Sequence, residues 1–307
     1  MRMFLPAAAV VAAVAGLVAF VGPVSALMIA IKAPVQRALS ADVVVVGKVT
    51  GIAKDDVEAN APFAGSKEKL KYKVATVKIA TGLAGADKMT EIKIGFVAAV
   101  KPDPNAPVKP IIRPRPGFQG VELKEGQELL LFVTKHPTGD FYIIGNMDAP
   151  IDVTTEQGKK ELESIKKLTT TLADPMKSLK SDKPEVRGET ATALVMKYRS
   201  YPAFGGEVAQ VALGADESKL ILKGLIDGEW SNNFRGGAVG GLSAMQAFYS
   251  LGLTEKDGWV APVIANVPGA PPVDYAAVNR DAFAKWVDGA GAKYLVKKVV
   301  AKKLEEK

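Results

Sequence analysis

Apolar residues in this chain first form a block, and only afterwards a periodic pattern. Residues 3 to 31 carry no charged side chain, and Phe4 to Val21 is an apolar core rich in Ala and Val behind the positive flank of Arg2. Gly22-Pro23 interrupts it, and Val24-Ser25-Ala26 then offers the small residues that signal peptidase accepts. Residues 1–26 are therefore expected to be a signal peptide, with the mature chain starting near Leu27. An uncleaved anchor is the competing reading, because about 20 apolar residues span a bilayer. The Gly-Pro break followed by a small-x-small site favours cleavage.

From residue 41 to 146 the apolar positions recur with the period of a strand. Val43-Val44-Val45-Val46 is a β-branched run closed by Gly47, and Leu129 to Val133 is a second run of the buried type. Ile92, Ile94 and Phe96 alternate with Glu91, Lys93 and Gly95, and Phe141-Tyr142-Ile143-Ile144 follows a turn containing His136. Over residues 69–80, Leu70, Tyr72 and Val74 share one face before the pattern slips to Val77 and Ile79. A change of phase in mid-strand predicts a β-bulge at Ala75 or Thr76. The five strands suffice for a small barrel. Residues 99–118 interrupt them with prolines at 102, 104, 107, 110, 114 and 116. No ladder accepts that density, which predicts an extended, polyproline-like insertion.

After Thr154 the period becomes helical. Thr154-Thr155-Glu156 opens a run with Leu162, Ile165 and Leu168 at helical spacing, and Asp182-Lys183-Pro184-Glu185 reads as a cap with proline in the next first turn. Further helices are expected near 216–227, 236–251 and 274–288. Residues 291–304 place Leu295, Val296, Val299, Val300 and Leu304 on one helical face, although their β-branched content leaves a strand open. The expected fold class is α+β: a β-domain over 27–150 and an α-helical domain over 151–307.

Composition narrows the chemistry. The 307 residues contain no cysteine and one histidine. Disulfides, thiolate metal sites, Fe–S clusters, lipoprotein anchors and cysteine nucleophiles are thereby excluded, as are zinc sites built from several His or Cys ligands. An exported chain without disulfides suggests a bacterial envelope, secreted or periplasmic. No cofactor is expected. A catalytic triad would need His136, which reads instead as a solvated turn residue whose replacement by Ala shifts stability by no more than about 0.5 kcal/mol. The net charge is +7, and residues 67–115 hold eleven Lys or Arg against four acids. A solvated cationic face explains this blandly. An anionic partner explains it functionally, with Lys101, Lys109, Arg113 and Arg115 on the insertion as candidate binding residues. Export disfavours nucleic acid.

Two families are resembled. Ala41-Asp42-Val43-Val44-Val45-Val46-Gly47-Lys48-Val49, Tyr72-Lys73-Val74-Ala75-Thr76-Val77 and Glu125-Gly126-Gln127-Glu128-Leu129-Leu130-Leu131-Phe132 are similar to the netrin-like module. This is the OB-type barrel shared with tissue inhibitors of metalloproteinases. That resemblance implies a five-stranded OB-like barrel over roughly a third of the chain. The inhibitors chelate zinc through an N-terminal cysteine, which this chain lacks. Val186-Arg187 with Ala191, Ala193 and Leu194 resembles the second helix of a HEAT repeat, and Phe234-Arg235 with Ala238-Val239, Gly241 and Leu242 repeats it 48 residues later.

Other constellations are weaker. Arg235-Gly236-Gly237-Ala238-Val239-Gly240-Gly241 matches neither the dinucleotide nor the P-loop spacing. Trp230, Trp259 and Trp286 read as core anchors before they read as a sugar platform. Asp227, Glu229, Glu255 and Asp257 could supply a carboxylate pair for glycoside hydrolysis, and equally fit turns and caps. Asn146, Asp148 and Asp152 lack the glycine and terminal glutamate of a calcium loop. The reading overall is a non-catalytic binding or scaffold protein for a macromolecular partner, protein or anionic glycan. The alternative is an extracytoplasmic hydrolase using Asp or Glu carboxylates.

Overall fold

The computed structural model describes residues 32–97, 121–145, 148–231, 242–263 and 273–302. The expected signal peptide, the proline-rich insertion and the second HEAT-like copy up to Gly241 lie outside them.

The valine run becomes β1 (Val43–Ile52), the centre of a sheet that also contains β3 (Lys69–Ala84), β4 (Glu91–Phe96), β5 (Glu128–Lys135) and β6 (Tyr142–Ile144). Pairing runs around a ring. β1 lies antiparallel to β3, β3 to β4, β6 to β5 and β5 back to β1, while β4 and β6 pair in parallel. β2 (Val57–Asn60) hangs on β3, and β7 (Ile151–Asp152) on β5. Val45, Val49, Ala75, Val77, Ile94, Leu131 and Val133 fill the interior. These are the alternate positions that period-two burial requires.

The expected bulge at Ala75 or Thr76 is not there. β3 pairs with β4 without a break from Lys73 to Lys78. Against β1 the register does slip at this level, but the extra residue is Thr50 of β1, between the pairs Val49–Val77 and Gly51–Thr76. The phase of β3 changes because its two faces are buried in succession. Leu70, Tyr72 and Val74 pack against Phe141 and Ile143, whereas Ala75, Val77 and Ile79 face the ring interior. A long strand that crosses from one apolar cluster to another mimics a bulge in the pattern.

Seven α-helices are present among the described residues. Pro34–Ser40 is α1, and α2 (Glu156–Ala173) starts as expected, with the Thr155 hydroxyl accepting from the Gly158 amide at 3.0 Å. Both pack on the outer side of the sheet: Val35 and Ile165 meet Val44, Leu130 and Phe132. Ile165 is fully buried there, which contributes about 1.5–3 kcal/mol. α3 (Pro175–Leu179), α4 (Pro184–Arg199), α5 (Ala215–Ile226), α6 (Ala244–Leu251) and α7 (Tyr275–Asp288) build the second core. α4 is its hub, touching α1, α2, α3, α5, α6 and the strand Lys297–Ala301. Pro184 occupies its first turn, but Lys183 rather than Asp182 is the N-cap. Trp230, Trp259 and Trp286 are all buried core residues, as expected.

Residues 291–304, expected as a helix, instead contain the strand β9 (Lys297–Ala301). It pairs antiparallel with β8 (Val208–Ala212), a partner some ninety residues away in sequence that no local period can reveal. Val299 and Val300 take the conformation that β-branched side chains prefer once such a partner exists. None of the described helices is long and apolar enough to cross a membrane.

Candidate functional site

His136 organises its surroundings in a way the sequence reading missed. Expected as a solvated turn residue, it is 2% exposed. Its Nδ1 accepts hydrogen bonds from the Gly139 amide at 2.8 Å and the Thr138 amide at 3.2 Å, so Nε2 carries the proton, 3.1 Å from the Asn60 carbonyl. The ring lies edge-on to Tyr72 at 5.3 Å and 4.7 Å from the Phe141 ring centre. Burial pushes its pKa below the usual histidine range. With both nitrogens engaged in backbone contacts, this imidazole is a rivet between the end of β2 and the turn after β5. The Tyr72 hydroxyl beside it is buried with no hydrogen-bond partner among the described residues, and burial raises its pKa to about 12.

The two loops joined by His136 form one side of an open cleft of about 580 Å³. One wall is Asn60 to Ser66 with Pro137 and Thr138; the other is Ser200 to Gly205, after α4, with Val299 of β9. The Ala64 amide donates to the Phe204 carbonyl at 3.0 Å across it. Phe63 is 44% exposed and Tyr201 69%. Lys197, Lys298 and Asp42 stand on the rim.

A second, smaller cavity of about 280 Å³ lies between α2, α4 and the turn after α5. Glu185, Glu189, Asp227 and Glu229 line it together with Val35, Leu168 and Leu242. Two of the carboxylates are paired: Asp227 with the Arg187 Nε at 2.7 Å and Glu189 with the Lys167 Nζ at 2.8 Å. Glu229 accepts from the Ser231 amide at 2.8 Å, which holds its pKa below the usual range. That direction is opposite to the raised pKa of a glycosidase general acid.

The structure thus brings Asp227 and Glu229 together, but not Glu255 and Asp257. These lie in a short turn where Asp257 accepts from the Thr254 hydroxyl at 2.8 Å. The calcium-like set does not converge: Asp148 is ion-paired to Lys32 at 3.6 Å and Asp152 bonds Thr154, while Asn146 is outside the described residues. Among the described residues no cluster of His, Asp or Glu fits a metal ion. Lys101, Lys109, Arg113, Arg115 and the glycines of 236–241 lie outside the described residues. On the described sheet the outer face carries the row Glu128, Lys48, Lys78, Glu91 across four strands, in which the charges balance. The chain matches no protein-family model and no curated protein.

Proposed function

We propose that this is an exported, periplasmic or secreted, binding or scaffold protein that performs no catalysis and receives a segment of a protein partner in the cleft beside His136. One observation carries the reading: an open cleft of about 580 Å³ presents Phe63, Tyr201 and three prolines between loops held by buried contacts. Exposed aromatics on a preformed concave surface are the usual anchors of peptide recognition. The single imidazole, both of whose nitrogens are engaged, is poorly suited to act as a base. The ring order β1-β3-β4-β6-β5, closing on β1, supports an OB-type barrel and with it the netrin-like resemblance. The HEAT-like reading has one described copy, in α4, a helix surrounded on several sides rather than stacked in a line.

A display selection of random peptides on the purified mature protein tests the proposal. Selected peptides should carry an apolar or aromatic anchor and lose at least about tenfold in affinity on Tyr201→Ala, the 1.4 kcal/mol typical of a modest interface anchor. Failure to enrich peptides, or enrichment indifferent to Tyr201→Ala, would refute it.

A further inference from the structure

The geometry points to main-chain pairing in the cleft beside His136: a partner's segment enters as an extended strand along the free edge of β9, with an acidic residue next to its apolar anchor. This rests on reading the cleft as a protein-docking site, and adds how the partner is held. Among the described residues β9 has one neighbouring strand, β8. The Leu213 amide donates to the Val296 carbonyl at 2.8 Å and the Lys302 amide to the Glu207 carbonyl at 2.9 Å, in register with the pairs between them. In an antiparallel ladder only every second residue exchanges hydrogen bonds with its partner. Lys298 and Val300 therefore bond β8, whereas Lys297, Val299 and Ala301 turn their N–H and C=O groups to the opposite edge. Arg199 marks that edge, its Nη1 donating to the Lys297 carbonyl at 3.4 Å. Because Arg199 stands between Lys197 and Ser200, which line the cleft, the edge it caps is the one facing the cleft. Val299, two residues along, lines the cleft as well, and its amide and carbonyl have no hydrogen-bond partner among the described residues.

Charge on the rim selects the occupant. Lys197 and Lys298 are exposed and form no ion pair among the described residues. The Lys298 Nζ lies 5.7 Å from the centre of the Tyr198 ring, a contact that orients the ammonium without neutralising it. Asp42, the one acid among the described lining residues, is already engaged, its carboxylate accepting from the Lys135 amide at 2.9 Å. The potential over this end of the cleft is therefore positive, and a carboxylate side chain complements it. A strand added to a free edge gains affinity from main-chain bonds, while its alternate side chains supply specificity. Phe63 and Tyr201 offer the contact for an apolar side chain, and the two lysines the contact for an acidic one. Lysines also blunt open edges against chance pairing; an edge guarded in that way would take no strand at all.

A backbone N-methyl scan of the tightest peptide from the display selection, titrated calorimetrically against the same purified protein, tests the pairing. Methylation should cost at least about tenfold in affinity at alternate positions and little at those between, because only every second amide of a strand faces its neighbour. Val299→Pro removes the edge donor and should weaken the peptide by a similar factor; that amide takes no part in the β8 ladder, so the fold should survive, as a urea midpoint would show. Should the variant not fold, the scan on the wild-type protein still decides. Lys197→Gln and Lys298→Gln should each weaken binding several-fold and flatten its salt dependence, and the selected peptides should carry Asp or Glu beside the anchor. Indifference to N-methylation at every position, losses at consecutive positions as a bound helix would give, or peptides without an acidic residue overturn the proposal. Peptides that depend on Tyr201 yet ignore N-methylation sink the strand pairing alone, whereas a selection that yields no Tyr201-dependent peptide removes the docking site and the pairing with it.

Discussion

His136 concentrates more structural consequence than any other single residue of the β half. Replacing it with Ala removes the acceptor for the Thr138 and Gly139 amides and the donor to the Asn60 carbonyl. Leaving buried polar groups unpaired costs about 1–3 kcal/mol, well above the loss expected of a surface turn. His136→Ala should therefore lower the urea midpoint clearly. The pH dependence has a definite sign. The native pKa lies below the unfolded value of about 6.5, so the unfolded chain binds the extra proton as pH falls. Stability from this group is complete above about pH 6.5 and is lost as pH drops toward the lowered native value. Asp148, whose pKa burial raises, contributes in the opposite sense. The difference between wild type and His136→Ala, measured from neutral to mildly acid pH, isolates the histidine. A variant with an unchanged midpoint and the same pH slope would contradict the rivet. The sequence showed His136 in a turn, correctly, but its burial comes from Tyr72 and Phe141, and proximity of side chains on separate strands leaves no local signature.

At the level of elements, α4 and α5 approach closely because Gly224 has no side chain. A Cβ at Gly224 would lie 2.8 Å from the Ala191 Cβ and 2.9 Å from the Arg187 carbonyl oxygen. Ala is the better helix former by about 1 kcal/mol, but overpacking against backbone costs about 1–3 kcal/mol. Gly224→Ala should therefore destabilise despite its propensity. Gly51→Ala, with nothing within 4 Å, should not fall by as much. Thermal or urea unfolding of both variants decides it. Elements whose signal was periodic and local were legible: the strands that became β1, β3, β4, β5 and β6, and the helices α2, α4, α5 and α7. β2, β7 and β8, which are short or pair at an edge, and α1, a single buried-faced turn or two, left too few positions for a period to register. β9 was hidden for a different reason. Its valines fit a helical face, and only pairing with β8 decides against it.

The molecule as a whole holds its β and α parts through shared apolar contact, since Val44, Leu130 and Phe132 of the sheet pack with Val35 and Ile165 of the helices. Its formal charge of +7 is not concentrated on the outer face of the described sheet, where Lys48 and Lys78 lie between Glu128 and Glu91. Retention on a heparin-type column should accordingly be weak and fall steeply with salt, because exposed attractions are screened beyond about 8 Å at physiological ionic strength. Substituting Lys101, Lys109, Arg113 and Arg115 should abolish that retention, and substituting Lys48 and Lys78 should not; the reverse result would move the anionic contact onto the sheet.

The cleft was not legible in advance. Its walls come from the β2–β3 connection, the turn after β5 and the loop after α4, segments that only the folded chain brings together. The central claim is that this cleft is where a protein partner docks. Hydrogen exchange of the mature protein, alone and saturated with a selected peptide, measures this directly. New protection should fall on residues 61–66 and 201–205 and spare the cavity between α2 and α4. Protection confined to that cavity or to the outer face of the sheet, with residues 61–66 and 201–205 unchanged, would contradict the account.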